Sequence, residues 1–335
     1  MALSCAVLVL GPSCDWEEQT ACCDGGGIYT PVFQSVDPSR LQASLQQMTG
    51  GSPVTISGQT ESLSERYSPA AKALYRQYWT DQLTALGMTV TPLDFPTLHS
   101  IGESQGHNLE AVLPGRSADS VVIIVHYDNI GPPSQETMNP GVDDDMTGMS
   151  ILFETARLFV KHRTELALTV RFVASDEEEL GGLAGARSYA AYIKALSQSA
   201  GFALVAAVDD EQSGWNCNTD HLCADTLFPA FDVFSCSRGG TTSYDFAALG
   251  DQFAGIVARY STLHVKRDCI GANSDHFAMW EIGVPALVYS EHDPFNNQHF
   301  DLNGGDVFER IDTDYLTSIA RPAIAFQAAL AGVQK

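Results

Sequence analysis

The sequence contains few basic residues and no long apolar run. It has 18 lysines and arginines against 41 aspartates and glutamates, which gives a formal net charge of -23 at pH 7. A surface this acidic repels phosphate backbones and anionic lipid, so we expect neither nucleic acid nor a membrane surface as a partner. No segment reaches the ~18 consecutive apolar residues of a transmembrane helix, and no membrane span is expected.

Internal repeats and low-complexity linkers are also missing from residues 28–335. A chain of 335 residues, 44% of them hydrophobic, is long enough for one large α/β domain. Residues 15–30 instead combine acids, adjacent cysteines and three glycines, a composition typical of an exposed tether. We therefore expect residues 1–27 to be a leader or tether and residues 28–335 to form a single folded domain.

The eight cysteines do not pair with histidines at zinc-finger spacing. So many cysteines are unusual in a reducing compartment, and they favour disulfides in a secreted or periplasmic protein. The apolar stretch 2–10 lacks the preceding basic residue of a complete secretory signal. A mis-assigned start codon, or a lipid carried by Cys14, would each account for this incomplete leader.

Potential metal ligands follow three strand-like apolar runs. Residues 121–125 lead into His126 and Asp128, residues 166–174 lead into the acids 176–179, and residues 203–208 lead into Asp209. Three further aspartates, 143 to 145, precede an amphipathic helix predicted from 147 to 162. The carboxyl ends of strands in an open α/β sheet form a common binding edge. Because imidazole and carboxylate both suit zinc, the sequence predicts a metal site there.

The remaining periodic segments fit the same α/β pattern. Ser68-Pro69 predicts the start of a helix that ends at Gly87, and residues 314–330 predict a closing helix. Strands are predicted at 88–93, 109–113 and 284–290. Residues 212–270 show no readable pattern.

Taken in order, the motifs resemble the M28 family of zinc peptidases over about residues 65–325. The motifs that carry the resemblance are His126-Tyr127-Asp128, the run from Pro140 to Gly148, Arg171-Phe172 with Glu178-Glu179-Leu180-Gly181, and Ser274-Asp275-His276 with Gly283-Val284-Pro285-Ala286. The resemblance implies a three-layer α/β/α sandwich around a mixed, mostly parallel sheet, which forms one catalytic domain with two zinc ions.

The resemblance also implies a role for each residue of the site. Asp143 would bridge the two ions, with a cis peptide between Asp143 and Asp144. His126 and Asp209 would complete one zinc site, and Glu179 and His299 the other. Asp128 would orient His126 by accepting its second ring proton, and Glu178 would be the general base.

Several alternatives stay open at this stage. Asp210 could be the ligand in place of Asp209, and the register of Glu177, Glu178 and Glu179 is ambiguous by one. The resemblance favours a supporting role for Asp275 and His276 over direct ligation.

The predicted activity is that of a dizinc exopeptidase, most simply an aminopeptidase acting on peptides. Glu178 would take a proton from a metal-bridged water and pass it to the leaving amine. The alternatives are carboxypeptidase action, a single-zinc acyltransferase similar to glutaminyl cyclases, and a non-catalytic binding ectodomain on the same scaffold. No oligomeric state is predicted.

The positions of the later cysteines give a first testable prediction. Cys217 and Cys223 lie in one irregular stretch, so we expect them to pair, and Cys236 to pair with Cys269. Peptide mapping under non-reducing conditions should recover both cross-linked peptides. Free thiols at all four positions would contradict the pairings and weaken the case for export.

Overall fold

The computed structural model describes residues 30–97, 104–131, 139–162, 166–179, 182–217, 230–234, 247–268, 274–294, 297 and 305–332. Within these ranges no helix is both long enough and apolar enough to cross a membrane. Of the predicted site residues only His299 lies outside the described residues, together with seven of the eight cysteines.

The centre of the protein is an eight-stranded mixed sheet. A separate hairpin contains β1 (Val54–Ile56) and β2 (Gln59–Glu61). The strands of the large sheet are β3 (Thr89–Pro96), β4 (Gln105–Leu113), β5 (Ser117–His126), β6 (Leu168–Ser175), β7 (Leu204–Asp210), β8 (Ala230–Phe234), β9 (His264–Asp268) and β10 (Ala286–Glu291). The strand order is β3-β4-β6-β5-β7-β10-β8-β9. Strands β6, β5, β7 and β10 are parallel neighbours, so their carboxyl ends meet at one edge.

Helices are present on both faces of the sheet. They are α1 (Thr30–Gln34), α2 (Pro38–Met48), α3 (Pro69–Ala85), α4 (Gly148–Lys161), α5 (Ala184–Ala200), α6 (Ala247–Tyr260), α7 (His276–Glu281) and α8 (Thr313–Leu330). The Ser68 side chain accepts the Ala71 N–H and Pro69 follows in the first turn, which fixes the start of α3 as predicted.

Strand β5 shows why the fold has three layers. Val121, Ile123 and Val125 belong to the hydrophobic core on one face of the sheet, whereas Val122 and Ile124 belong to the core on the other. Successive side chains of a strand alternate between its faces, so a continuous apolar run needs a helical layer on each side. The predicted α/β/α sandwich around a mixed, mostly parallel sheet is therefore confirmed.

Two parts of the chain differ from the prediction. Strand β7 continues through Asp209 to Asp210, whereas the apolar run suggested that it ends at residue 208. The stretch 212–270 contains β8, α6 and β9, although it has no clear period. Strands β8 and β9 pair at the edge beyond β10, where nonlocal contacts decide the structure.

Candidate metal centre

The imidazole of His126 lies at the centre of the candidate site. His126 ends β5 and is fully buried. Its Nε2 lies 3.1 Å from Asp144 Oδ1 and 3.5 Å from Glu211 Oε1. One ligand atom from each of these three residues lies within 4.8 Å of the others, so they can coordinate the same cation.

Unsatisfied atoms support this interpretation. His126 Nε2 and Asp144 Oδ1 are buried and lack a hydrogen-bond partner of acceptable geometry among the described residues. A buried polar atom without a partner costs free energy, and a bound cation would satisfy both atoms. One imidazole nitrogen and two carboxylate oxygens form a donor set of the kind found in catalytic zinc sites. The residues present therefore fit zinc.

Arg66 holds the backbone on both sides of this centre. Its buried guanidinium donates from Nε to the carbonyl of Tyr127 at 2.7 Å and from Nη2 to the carbonyl of Gly141 at 2.8 Å. Nη2 also lies 3.4 Å from the Asp144 carbonyl. Gly141 has a φ of 55°, and a Cβ there would approach Arg66 Nη2 to 2.5 Å, so glycine is required for this contact. Burial lowers the pKa of Arg66.

The loop that presents Asp144 is also fixed by its amide groups. Asp306 accepts the N–H of Asp143 at 2.7 Å and the N–H of Asp144 at 3.0 Å. Gln212 donates to Asp144 Oδ2 at 3.0 Å, which leaves Oδ1 directed at His126. The cis peptide joins Asp144 to Asp145, one residue later than predicted.

Asp143, the predicted bridge, makes protein contacts with both carboxylate oxygens. Oδ1 accepts the Gly214 N–H at 2.7 Å, and Oδ2 accepts from Asn297 Nδ2 at 3.0 Å. Burial raises the pKa of Asp143 to about 6, although hydrogen bonds with Glu291 and with the Gly214 N–H act in the opposite direction. The ligand group of the described residues contains Asp144 in its place.

The acids at the end of β7 are divided among different partners. Asp209 Oδ2 accepts the backbone N–H of His276 and also lies 3.1 Å from the Nδ1 atom of the same residue. Asp210 instead accepts from the Gln327 side chain on α8. Asp209 and Asp210 lie inside the strand, where alternate residues point to opposite faces. Glu211, the first residue beyond β7, is the one that reaches His126. Neither Asp209 nor Asp210 belongs to the ligand group of the described residues.

The Ser274-Asp275-His276 motif supports these acids from the α7 side. Ser274 donates its hydroxyl to Glu211 Oε2 at 2.9 Å. His276 contacts Asp209, and Asp275 accepts from the Ser175 hydroxyl at the end of β6. This agrees with the expected supporting role of the motif.

The acidic run 176–179 separates into two pairs. Lys72 is buried and lies 2.7 Å from both Asp176 Oδ1 and Glu177 Oε1. Burial alone would lower the pKa of Lys72, but the nearby carboxylates raise it. Lys72 thus engages the first two acids of the run, and the register chosen from the sequence, with Glu178 and Glu179 at the metal centre, stays a prediction.

Asp128 positions this second pair. Its Oδ1 accepts the Glu178 N–H at 3.1 Å and its Oδ2 accepts the Glu179 N–H at 3.3 Å. His126 Nδ1 lies 3.1 Å from the Asp128 backbone carbonyl and 3.7 Å from its carboxylate. The expected support of the imidazole therefore comes through the carbonyl, because the carboxylate is used by the turn after β6.

The charges of His126 and Asp144 affect the pKa values of the half-buried Glu178 and Glu179. Burial raises the pKa of Glu178 well above its ordinary value, with His126 opposing the shift. Burial also raises the pKa of Glu179, and the charge of Asp144 adds to that effect. Burial likewise raises the pKa of Glu211 to about 7. Burial would lower the pKa of His126, but Glu211 and other acids raise it. A divalent cation would stabilise the ionised acids.

Five residues of the site were not assigned from the sequence. They are Arg66, Lys72, Asp144, Glu211 and Asp306. The runs of three acids at 143–145 and 209–211 signalled that a ligand lies in each. Which acid of each run reaches His126 depends on the backbone path. Arg66 and Lys72 gave no sequence signal, since their partners are distant in the chain.

The sheet, its helical layers and the ligands at the carboxyl edge define a protein with the zinc exopeptidase fold. The model of Peptidase family M28 matches residues 108–327, and the chain belongs to this family. Among curated proteins, a probable zinc metalloprotease of Pyrenophora teres f. teres is 24% identical over 66% of this chain and 48% of its own length. Leucine aminopeptidase 1 of Coccidioides posadasii is 26% identical over 70% of this chain and 57% of its own length. The chain thus spans about half the length of these relatives.

Solved structures support the fold assignment. The LapA aminopeptidase of Legionella pneumophila is similar with a TM-score of 0.69 at 18% identity, covering 96% of this chain and 77% of that one. Macrostomum lignano glutaminyl cyclase has a TM-score of 0.66 at 17% identity, covering 93% of this chain and 94% of that one. Both a peptidase and a cyclase therefore share this architecture.

The buried Lys72 ion pairs give a second testable prediction. Lys72→Met leaves Asp176 and Glu177 buried without their cation, so the free energy of unfolding should fall by ~3–5 kcal/mol. Denaturant unfolding of this variant measures the loss. Lys194→Met, which removes an exposed lysine of α5, is the matched control and should change stability by less than about 0.5 kcal/mol. Equal stabilities for the two variants would contradict the role given to Lys72.

Proposed function

We propose that the chain is a zinc-dependent aminopeptidase that removes amino-terminal residues from peptides. The observation that carries the proposal is that His126, Asp144 and Glu211 each direct a ligand atom to one place. Two of those atoms, His126 Nε2 and Asp144 Oδ1, are buried without a hydrogen-bond partner among the described residues. Asp128 holds the backbone N–H of the half-buried Glu178, and the charges of His126 and Glu211 shift the pKa of the Glu178 carboxyl, which supports its closeness to them. The family membership and the relatives named as zinc metalloprotease and leucine aminopeptidase support the same reaction class.

The proposed ligand set revises the one expected from the sequence. His126, Asp144 and Glu211 would hold one zinc ion, with Asp144 and Glu211 in place of Asp143 and Asp209. A second ion would be held by Asp144 as the bridge, Glu179 and His299. The charge of Asp144 raises the pKa of Glu179, which supports their closeness.

The chain's own residues then have distinct roles in amide hydrolysis. Zinc at this site would supply Lewis-acid chemistry that polarises a peptide carbonyl and makes water easier to deprotonate. Glu178 accepts a proton from the attacking water and returns it to the leaving amine. Asp128 acts as a positioning residue, because it holds the amides of both Glu178 and Glu179.

A glutaminyl cyclase reaction is the second candidate. It is favoured by the near-equal likeness to a cyclase structure and by the three-residue ligand group, which is sufficient for one zinc ion. Metal analysis combined with a substrate panel separates the two functions. About two zinc ions per chain and hydrolysis of free-amine peptides support the aminopeptidase. One zinc ion and cyclisation of amino-terminal glutamine support the cyclase.

We also propose that the protein is exported, which agrees with the sequence expectation. Cys217 takes part in a disulfide, and the other seven cysteines lie outside the described residues. Stable disulfides are typical of oxidising compartments.

The third prediction distinguishes the two neighbouring aspartates. Asp144→Asn removes a charged oxygen directed at His126, so zinc affinity should fall by more than about 100-fold, the upper end of losses seen for indirect support residues. Asp143→Asn is the matched control and should retain zinc within about tenfold, because its carboxylate already accepts from Gly214 and Asn297. Zinc titration of both variants measures this difference. If Asp143→Asn lost zinc and Asp144→Asn kept it, the revised ligand would be wrong.

The fourth prediction separates proton transfer from metal binding. Glu178→Gln keeps the side-chain shape but cannot accept a proton, so turnover should fall by about 10²- to 10⁴-fold while zinc content is unchanged. Glu179→Gln should instead weaken zinc binding at one site. Peptide-hydrolysis rates and zinc titrations on the two variants provide the comparison. Normal turnover by Glu178→Gln would contradict its role as the general base.

A further inference from the structure

One cavity is lined by described residues that do not belong to the candidate metal centre. It has a volume of about 410 Å³, within the range of small-molecule pockets, and lies between α1, the end of α6 and the middle of α8. Its walls include Phe33, Arg259, Tyr260, Ser318 and Arg321. None of the described residues that line it is an acid, although acids outnumber bases 41 to 18 in the chain.

Arg321 is the feature that points to a ligand. It is half-buried, and its Nε is buried without a hydrogen-bond partner. Every other arginine among the described residues has at least one hydrogen bond, ion pair, ring contact or electrostatic interaction, whereas the Arg321 side chain has none with the described residues. Burying an unpaired N–H of a guanidinium is unfavourable, and the planar fork of the group matches a carboxylate. An anionic ligand would satisfy it.

The rest of the wall adds donors and a second positive charge. Arg259 lies at the exposed side of the cavity, with its guanidinium 5.6 Å from the Tyr260 ring centre. Ser261 Oγ accepts the Leu263 N–H at 3.1 Å, so its own hydroxyl proton remains available to a ligand. The hydroxyl and the guanidinium of Arg321, in a lining that contains no acid among its described residues, favour an oxyanion, and the charge of Arg259 adds to this preference.

The cavity also has an apolar side and an acceptor. Phe33 and Tyr260 pack with their ring centres 5.3 Å apart, which supplies a surface for an apolar group. Ser318 also lines the cavity, and Pro322, four residues later in α8, has no amide hydrogen to donate to the Ser318 carbonyl. An N–H group of a ligand could satisfy that carbonyl.

From these features we propose that the cavity binds a carboxylate carried next to an amide N–H and an apolar side chain. This is the chemistry of an N-acylated amino acid and of the carboxyl-terminal residue of a peptide. Arg321 pairs with the carboxylate, the Ser318 carbonyl accepts the amide, and Phe33 and Tyr260 contact the side chain. The site is separate from His126, Asp144 and Glu211, so it does not depend on the proposed catalytic function.

The fifth prediction tests this site with N-acetylphenylalanine as the probe and N-acetylphenylalaninamide as its neutral analogue. Calorimetric titration of the full chain should show saturable binding of the acid, with the amide weaker by about tenfold or more. Arg321→Gln should weaken binding of the acid by a similar factor. Arg187→Gln, which removes an exposed arginine paired with Glu281, is the matched control and should leave binding unchanged. Asp144→Asn should also leave it unchanged.

Several outcomes would overturn the proposal. They are equal binding of the acid and the amide, absence of saturable binding, and binding that Asp144→Asn abolishes but Arg321→Gln retains. The last result would place the carboxylate at the metal centre. Binding of inorganic phosphate through Arg321 without binding of N-acetylphenylalanine would contradict the ligand class. Thermal unfolding of Arg321→Gln and Arg187→Gln verifies that both variants are folded.

Discussion

Buried negative charge at the carboxyl edge of the sheet is the constraint on which the site depends. At least nine carboxylate side chains are almost completely buried there: Asp128, Asp143, Asp144, Asp145, Asp176, Glu177, Asp209, Asp275 and Asp306. Burial raises the pKa of several of them, including Asp145, Asp275 and Asp306. A fold that concentrates these groups must give each one a hydrogen-bond donor, a positive charge or a proton.

The structure meets this constraint in different ways for different acids. Asp306 and Asp128 accept pairs of backbone N–H groups, and Lys72 forms ion pairs with the first two acids that follow β6. Arg66 donates to carbonyl groups and thereby fixes the loop, while its charge lies near the same acids. The oxygen of Asp144 directed at His126 has no such partner, and neither has one oxygen each of Asp145, Asp209 and Asp275. Of these four acids only Asp144 belongs to the group of described ligand atoms that can share one cation.

The positively charged side chains also need partners. Several of the described arginines and lysines contact acids or carbonyl groups of the protein itself, which is expected when acids outnumber bases so strongly. Arg321 departs from that pattern, since it lines a cavity that has no acid among its described residues and its Nε is buried without a hydrogen-bond partner. The metal centre and the Arg321 cavity therefore favour ligands of opposite charge, a cation at the metal centre and, in our proposal, an anion at Arg321.

The sequence alone determined the fold class, the family and the edge of the sheet where the chemistry lies. Those features follow from the apolar run that ends at His126 and from acids that follow each central strand, which are local patterns. Tertiary structure decided which acid of a run faces the centre. Asp144 and Glu211 are selected because β7 extends through Asp209 and Asp210 and because Asp306 and Arg66 fix the loop after Gly141. These are contacts between distant parts of the chain, and a one-residue change in backbone path alters which side chain reaches the site.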